Sequence, residues 1–217
     1  MIIAIDGPGG AGKGTIAKAI ATELNIVYID TGAMYRTVGL YAKRNNIGTR
    51  DREALKEVLD LINIDVKVSN EGQRFLLNGE DVSEAIRTPE ISMAASDVSS
   101  IPEVRERLVD MQREMAKMQS VVMEGRDIGT VVFPNADTKI YLTASPEVRA
   151  RRRYNELIAK GQAVEYDTVL EELIIRDRND STRETSPLRQ AEDAVVLDTT
   201  DMTLPEAIAK TIEIING

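Results

Sequence analysis

The chain contains no cysteine and no histidine among its 217 residues. The first absence excludes disulfides and thiolate metal sites, and the second removes the usual proton shuttle of near-neutral chemistry. No long apolar run is present, and Met1-Ile2-Ile3-Ala4-Ile5-Asp6 is too short and too soon acidic for a signal peptide. Positive charge is also in deficit. The formal net charge of −9 argues against a broad basic face for polymeric nucleic acid, and the same charge favours solubility. A local basic cleft for a small anion remains compatible with it. These absences fit a cytosolic protein without a membrane anchor. An apolar content of 42% in a chain of this length can bury a substantial core, as one domain or one domain with an insertion.

What is present begins at Gly7-Pro8-Gly9-Gly10-Ala11-Gly12-Lys13-Gly14-Thr15, directly after the apolar run Ile2-Ile3-Ala4-Ile5. The order reads as strand, glycine-rich loop and helix. Successive backbone N–H groups in such a loop point into one concavity, and the helix dipole adds positive potential. Lys13 supplies a mobile charge for the outer phosphates of a nucleotide, and a hydroxyl one turn into the helix can hold magnesium. The usual pattern puts that hydroxyl directly after the lysine. Gly14 intervenes, so the magnesium ligand is Thr15, a spacing closer to nucleoside monophosphate kinases than to GTPase switches.

Further along, short apolar strands alternate with helical stretches, which implies an α/β fold with a parallel sheet covered on both faces. Strands are expected at Ile2–Asp6, Ile26–Asp30, Val121–Glu124, Lys139–Leu142 and Val195–Asp198. Helices are expected at Lys13–Leu24, Ala33–Asn45, Pro102–Met118, Pro146–Lys160, Thr168–Asp180 and Leu204–Ile215. Ser145 before Pro146 is an N-cap with proline at the first helical position, and Thr203 with Glu206 forms a capping box. One segment breaks the alternation. Asp65–Ser69 and Gln73–Leu77 are strand-like runs joined by Asn70-Glu71-Gly72, and Asn78-Gly79 turns into Glu80-Asp81-Val82. They predict a small antiparallel β insertion.

Arginines carry the next layer. Arg149, Arg152 and Arg153 share one helix face by their spacing, whereas Arg151 points elsewhere. Guanidinium groups crowded on one face suit an anion lying among them. The stretch Gly161–Asp167 reads as a loop and hinge of a lid that excludes water. Arg176, Asp180 and Arg183 form a second polar face, for which the simplest account is an ion pair within the helix. Gly125-Arg126-Asp127 and Thr31-Gly32-Ala33-Met34-Tyr35-Arg36 each follow a strand, where ligands of open α/β sheets bind.

With these residues the chain resembles the bacterial cytidylate kinase family from end to end. The resemblance lies in the Gly-Lys-Gly-Thr loop, Asp30–Arg36, Ala94-Ala95-Ser96 with Pro102 and Arg105, Gly125–Pro134, and the segment from Arg176 to Arg183. It implies a P-loop kinase fold with a five-stranded parallel sheet, a small β insertion in the acceptor-binding region and a helical lid. The single kinase domain then divides into a core (1–30, 102–148 and 181–217), an acceptor-binding region (31–101) and a lid (about 149–180). The implied reaction moves the γ-phosphoryl group of ATP to CMP or dCMP, with Mg²⁺, in pyrimidine nucleotide metabolism. Carried over by position, Gly7 to Thr15 and Arg149 bind ATP. Arg36, Arg126 and Arg183 bind the acceptor phosphate, with Thr31 and Gly32 beside them. Ser96, Arg105 and Asp127 read cytosine, and Arg176 and Asp180 contact the sugar. Lys13, Arg126, Arg183, Arg152 and Arg153 are the groups implied to stabilise transferred charge. Glu124 is a candidate to orient magnesium through water. The partners implied are small molecules only, with neither nucleic acid nor membrane, acting on a cytoplasmic monomer.

The chemistry agrees. Cytosine offers an amine donor beside ring acceptors, which a carboxylate and Arg or Ser donors complement. The accepting phosphate is already largely ionised, its second pKa being about 6, so no general base is needed. Two other readings stay open: a kinase selective for UMP or AMP, and a nucleotide-responsive switch that transfers nothing.

Overall fold

The computed structural model describes residues 1–69, 72–117 and 119–217. Two compact units divide the chain, one made of residues 1–28 with 119–217 and the other of residues 29–118.

The first unit holds all but Ile29 and Asp30 of a five-stranded sheet in the order β2-β6-β1-β7-β8, from strands β1 (Ile2–Asp6), β2 (Val27–Asp30), β6 (Val121–Gly125), β7 (Thr138–Thr143) and β8 (Val195–Asp198). Strand β1 runs parallel to both β6 and β7, and β7 runs parallel to β8. Continuous apolar runs such as Ile3-Ala4-Ile5 and Val121-Val122-Met123 are wholly buried, as both faces of a parallel sheet require. Helices α1 (Lys13–Glu23) and α8 (Leu204–Asn216) pack against each other and close one core of Ile3, Ile5, Ile16, Ile20, Val122, Leu142 and Leu197. Helices α6 (Pro146–Ala159) and α7 (Tyr166–Thr182) pair with one another. The predicted caps are formed. The Ser145 hydroxyl accepts from Val148 N–H with Pro146 at the first turn, and Thr203 and Glu206 cap each other reciprocally. Helix α7 starts at Tyr166, so the last two residues of the expected 161–167 loop are helical. Between β6 and β7 lies a π-helical turn, Ile128–Val132, that periodicity did not announce.

The second unit holds α2 (Thr31–Arg44), α3 (Arg52–Val58), α4 (Pro89–Val98), α5 (Pro102–Ala116) and an antiparallel sheet of β3 (Ile64–Ser69), β4 (Gly72–Leu77) and β5 (Glu80–Asp81). The expected β insertion is this sheet. Asn78 and Gly79 take φ of 51° and 87°, the left-handed pair that a two-residue hairpin needs. The expected turn at Asn70-Glu71 and the helix end at Met118 lie outside the described residues. Helices α3 and α4 were not anticipated, although each carries an N-cap: Asp51 accepts from Ala54 N–H and Thr88 from Ile91 N–H. Gly39 of α2 lies against α4, where a Cβ would sit 3.0 Å from that of Ala94. Met34, Val38, Leu55, Phe75, Ile86, Val98 and Leu108 form the core of this unit.

Candidate active site

In the first unit the site grows from the carboxyl end of β1. A Cβ on Gly7 would lie 1.9 Å from the Leu142 carbonyl oxygen, so only glycine lets the loop leave the sheet there. Gly10 and Gly12 take left-handed φ of 73° and 94°, and no side chain caps the first turn of α1. That uncapped turn is a ready anion cradle. Lys13 is buried and its Nζ donates to the Pro8 carbonyl at 2.8 Å, spanning the loop it serves. Burial, with Arg126 and Arg176 nearby, lowers the Lys13 ammonium to about 7 against the opposing pull of Glu124 and Asp6. An anion in the loop would favour the charged form of this ammonium.

Gly14 has a local reason for being glycine. A Cβ there would stand 2.7 Å from Glu124 Oε1, and that oxygen accepts the Tyr28 hydroxyl. The carboxylate of Glu124 thus covers the first turn of α1, held in place by Tyr28. Thr15 is exposed one residue further on. Among the described residues no cluster of three or more acidic or other metal-binding side chains could hold a metal ion alone. The Thr15 hydroxyl, with the Glu124 carboxylate against the neighbouring Gly14, could serve a divalent cation only together with ligand oxygens and water.

Basic groups surround the loop. Arg149 is buried on α6 and donates to Ala144 O at 2.8 Å and Gly9 O at 2.9 Å. It also pairs with Asp177 of α7, whose other oxygen accepts the Gly9 N–H at 3.2 Å. Asp177 therefore bridges the loop and the arginine, a role that no local pattern in the chain announces. Arg152 donates to Ala11 O and to Thr199, while Arg153 turns to Glu156 at 2.8 Å. The three arginines of one helix face are thus engaged separately. Arg151 stacks over Tyr166, 4.0 Å from its ring centre.

Beyond β6, Arg126 is held by Asp180 at 2.8 Å, and a Cβ on Gly9 would lie 3.9 Å from its guanidinium. Burial raises the carboxyl of Asp180, but Arg126, Arg176 and Arg183 outweigh it and leave the group below the ordinary carboxylate range. Beside its helix neighbour Arg176, Asp180 thus makes a longer-range ion pair, to Arg126. Arg183 follows the end of α7 and donates from Nε to Ser186 O at 2.7 Å. Asp127 is buried at the mouth of the π-helical turn, its carbonyl accepting from Val131 and Val132.

In the second unit Asp30 caps α2, accepting from Ala33 N–H at 2.9 Å and from Arg36 at 2.8 Å, with Arg87 at 3.7 Å. Burial raises this carboxyl, yet Arg36, Arg87 and the Ala33 N–H together hold it below its usual value. Gly32 leaves room for the bend, since a Cβ there would stand 3.2 Å from Arg36. The Arg36 Nε is buried with no hydrogen-bond partner among the described residues, a donor suited to an anionic ligand. Thr31, also buried, opens the same helix. Arg87 is a basic group the sequence reading missed. Arg105 is buried on α5, donates to Ser99 O at 3.1 Å and lies 5.3 Å from the Tyr35 ring centre. Ser96 lies on α4, its carbonyl accepting from the Ser99 hydroxyl.

Comparison with known proteins bears on this set. The family model described as cytidylate kinase matches residues 3–217. A protein of Caldicellulosiruptor bescii named cytidylate kinase is 55% identical over 98% of this chain and 94% of its own. One of Bacillus subtilis with the same name is 48% identical over 98% and 95%. Among solved structures, shikimate kinase from Bacteroides thetaiotaomicron superposes with a TM-score of 0.51 at 17% identity, covering 100% of this chain and 99% of that one. An uncharacterized protein from Eubacterium ventriosum gives 0.52 at 14% identity, with coverage of 100% and 99%. These two likenesses concern the fold.

Proposed function

The chain belongs to the cytidylate kinase family and is an enzyme that phosphorylates CMP or dCMP, and on that premise we propose how its residues divide the work. The donor is ATP, held by the loop Gly7–Thr15 through backbone N–H groups and Lys13, with Arg149 and Arg152 bracing the loop from α6. Thr15 would hold Mg²⁺, with Glu124 orienting its water shell, and the ion would supply neutralisation of phosphate charge. Arg36, Arg126 and Arg183 bind the acceptor phosphate, with Thr31 and Gly32 shaping the start of α2 around it. Asp127, Arg105 and Ser96 read cytosine. Arg176 and Asp180 contact the sugar, and Asp180 also fixes the direction of Arg126. Arg153 adds positive charge on the lid. The protein works as a cytoplasmic monomer on small molecules, in a domain whose acceptor-binding region is 31–101 and whose lid is about 149–180. No helix among the described residues is long and apolar enough to cross a membrane.

No side chain has to remove a proton, because the attacking oxygen of a phosphate monoester is already ionised, with a second pKa of about 6. Alignment and neutralisation of charge in a loose transition state remain, and preorganised cations near the transferred group supply both. The observation that carries this reading is the adjacency of Arg126, facing Gly9 of the loop, and Asp127, buried at the start of a hydrogen-bonded turn. It supports a phosphate ligand and a base-reading carboxylate in neighbouring positions. A carboxylate accepts from the cytosine amine and repels the uracil carbonyl in its place, and discrimination of this type reaches on the order of 10⁴-fold.

The test is ADP formation with ATP and Mg²⁺ while CMP, dCMP, UMP, AMP and GMP are offered separately. Turnover confined to CMP and dCMP is the expected result, and Asp127→Ala should weaken that preference. An unchanged preference in Asp127→Ala would remove Asp127 from the base site.

A further inference from the structure

The turn that follows Asp127 closes on itself through its later amides, but its first two amides are held from outside it. Ile128 and Gly129 are its first residues, and N–H groups at that position have no partner within a helical turn. Both donate to one distant side chain. Asp6, the last residue of β1, accepts from Ile128 N–H through Oδ1 at 2.8 Å and from Gly129 N–H through Oδ2 at 2.7 Å. Asp6 is paired in register with Gly125, so its carboxylate stands at the strand end from which Arg126 and Asp127 depart. The far end of the segment is fixed as well. Lys139 Nζ donates to the Pro134 carbonyl and pairs with Asp193, and its stem lies under Gly129, where a Cβ would come within 3.1 Å of Lys139 Cδ. Asp127 is thus one residue away from a two-pronged clamp made by a buried carboxylate.

We propose that Asp6 is a specificity-determining positioning residue, which sets the Asp127 carboxylate for base selection by gripping the two amides that follow it. The inference rests on the reading of Asp127 as the group that recognises the cytosine amine. Asp6 touches neither base nor phosphate in this role. An isosteric amide cannot replace it, because Asn offers one acceptor oxygen and turns an NH2 group against the second N–H. The turn then shifts or rotates to relieve that contact. Misplacement of a recognition group by about 1 Å costs on the order of 10²-fold in a well-aligned site.

The experiment measures kcat/KM for CMP divided by kcat/KM for UMP in the parent, Asp6→Asn, Asp6→Ser and Asp127→Ala. The ratio cancels any effect of Asp6 on Lys13 and the ATP site, since both acceptors share them. Circular dichroism melts establish folding, and hydrogen exchange follows the peptide covering residues 126–134. The expected result is a fall in the ratio of about 10- to 100-fold in both Asp6 variants, in the same direction as in Asp127→Ala. Faster exchange at 126–134 should accompany it. A lowered ratio in Asp127→Ala with an unchanged ratio in a folded Asp6 variant overturns the proposal and leaves the base-reading role of Asp127 intact. An unchanged ratio in Asp127→Ala removes that role, and the proposal falls with it. If one Asp6 variant is unfolded, the other reads the same ratio. Unfolding of both would make Asp6 a residue of the fold and would also overturn the proposal.

Discussion

Asp6 makes a prediction about stability that is separate from its effect on selectivity. Burial pushes its carboxyl up to about 6 from the usual 3.8, with Asp127 adding to the rise. The Gly129 and Ile128 amides and Lys13 recover only part of it. For an acid whose pKa is raised on folding, the native state holds the proton where the unfolded chain has released it. Between about pH 4 and pH 6 the folded protein therefore binds more protons, and stability falls as pH rises through that window. Each pKa unit is worth 1.36 kcal/mol, so the ionised Asp6 costs the native state about 3 kcal/mol at pH 8. The Asn variant cannot titrate and escapes this term. It loses instead one good hydrogen bond, a penalty of about 1–3 kcal/mol that does not vary with pH.

The quantity to measure is the difference in unfolding free energy between Asp6→Asn and the parent, followed from pH 4.5 to pH 7.5. Integration over that range moves the difference by about 2 kcal/mol in favour of the variant as pH rises. For a chain of this size that is a relative shift in melting temperature of about 4–8 °C. Subtracting the two proteins cancels carboxylates such as Asp30 and Asp180, whose lowered values give stability that is lost toward acid pH. A difference that stays constant across the range would refute the reasoning, for it would mean that the Asp6 carboxyl is no harder to ionise in the native protein than in the unfolded chain.

Three further outcomes follow from single contacts. Gly14→Ala places a Cβ 2.7 Å from the Tyr28-bound oxygen of Glu124 and should cost about 1–3 kcal/mol. Glu124→Asp in the same chain should recover part of that loss, and strictly additive effects in urea unfolding would show that the two sites do not collide. Asp177→Asn removes the charge shared by the Gly9 N–H and Arg149, so KM for ATP should rise several-fold while the CMP-to-UMP ratio stays fixed. A moved ratio would show that Asp177 serves the acceptor side. Gly39→Ala must push backbone apart, with Ala94 C and Ala95 N each 3.2 Å from the new Cβ, and should lower stability by about 1–3 kcal/mol. An unchanged unfolding midpoint would mean that α2 and α4 have slack.

The parts of this molecule that local chemistry announces were readable in the sequence. The phosphate loop follows from glycines between a buried strand and a helix, and the parallel sheet from strands of unbroken apolar residues. Asn78-Gly79 marked its hairpin because only residues tolerant of left-handed φ fit such a turn. Helix α4 could have been found by the rule that found α6: Thr88-Pro89 is the same cap-and-proline pair as Ser145-Pro146. Its short length and mixed polarity hid it. The π-helical turn at 128–132 had no local signal, since its first two donors are satisfied from 122 and 123 residues away.

The same distinction runs through the candidate site. Arginine clusters were visible as spacing on a helix, because three or four residues bring side chains to one face. Their partners were not visible. Asp177 lies next to Arg176 in the chain, yet its contacts are with Gly9 and Arg149; Asp180 reaches Arg126 across 54 positions. A carboxylate that serves backbone N–H groups or a distant guanidinium leaves no pattern around itself, and in this protein Asp6, Asp177 and Asp180 are all of that kind. Arg126, Arg149 and the turn bearing Asp127 owe their directions to these acidic groups, of which the proposed function gives only Asp180 a substrate contact of its own. That arrangement suits a phosphoryl transfer requiring no base: with no proton to remove, a carboxylate can serve by fixing the cations and amides around the glycine-rich loop.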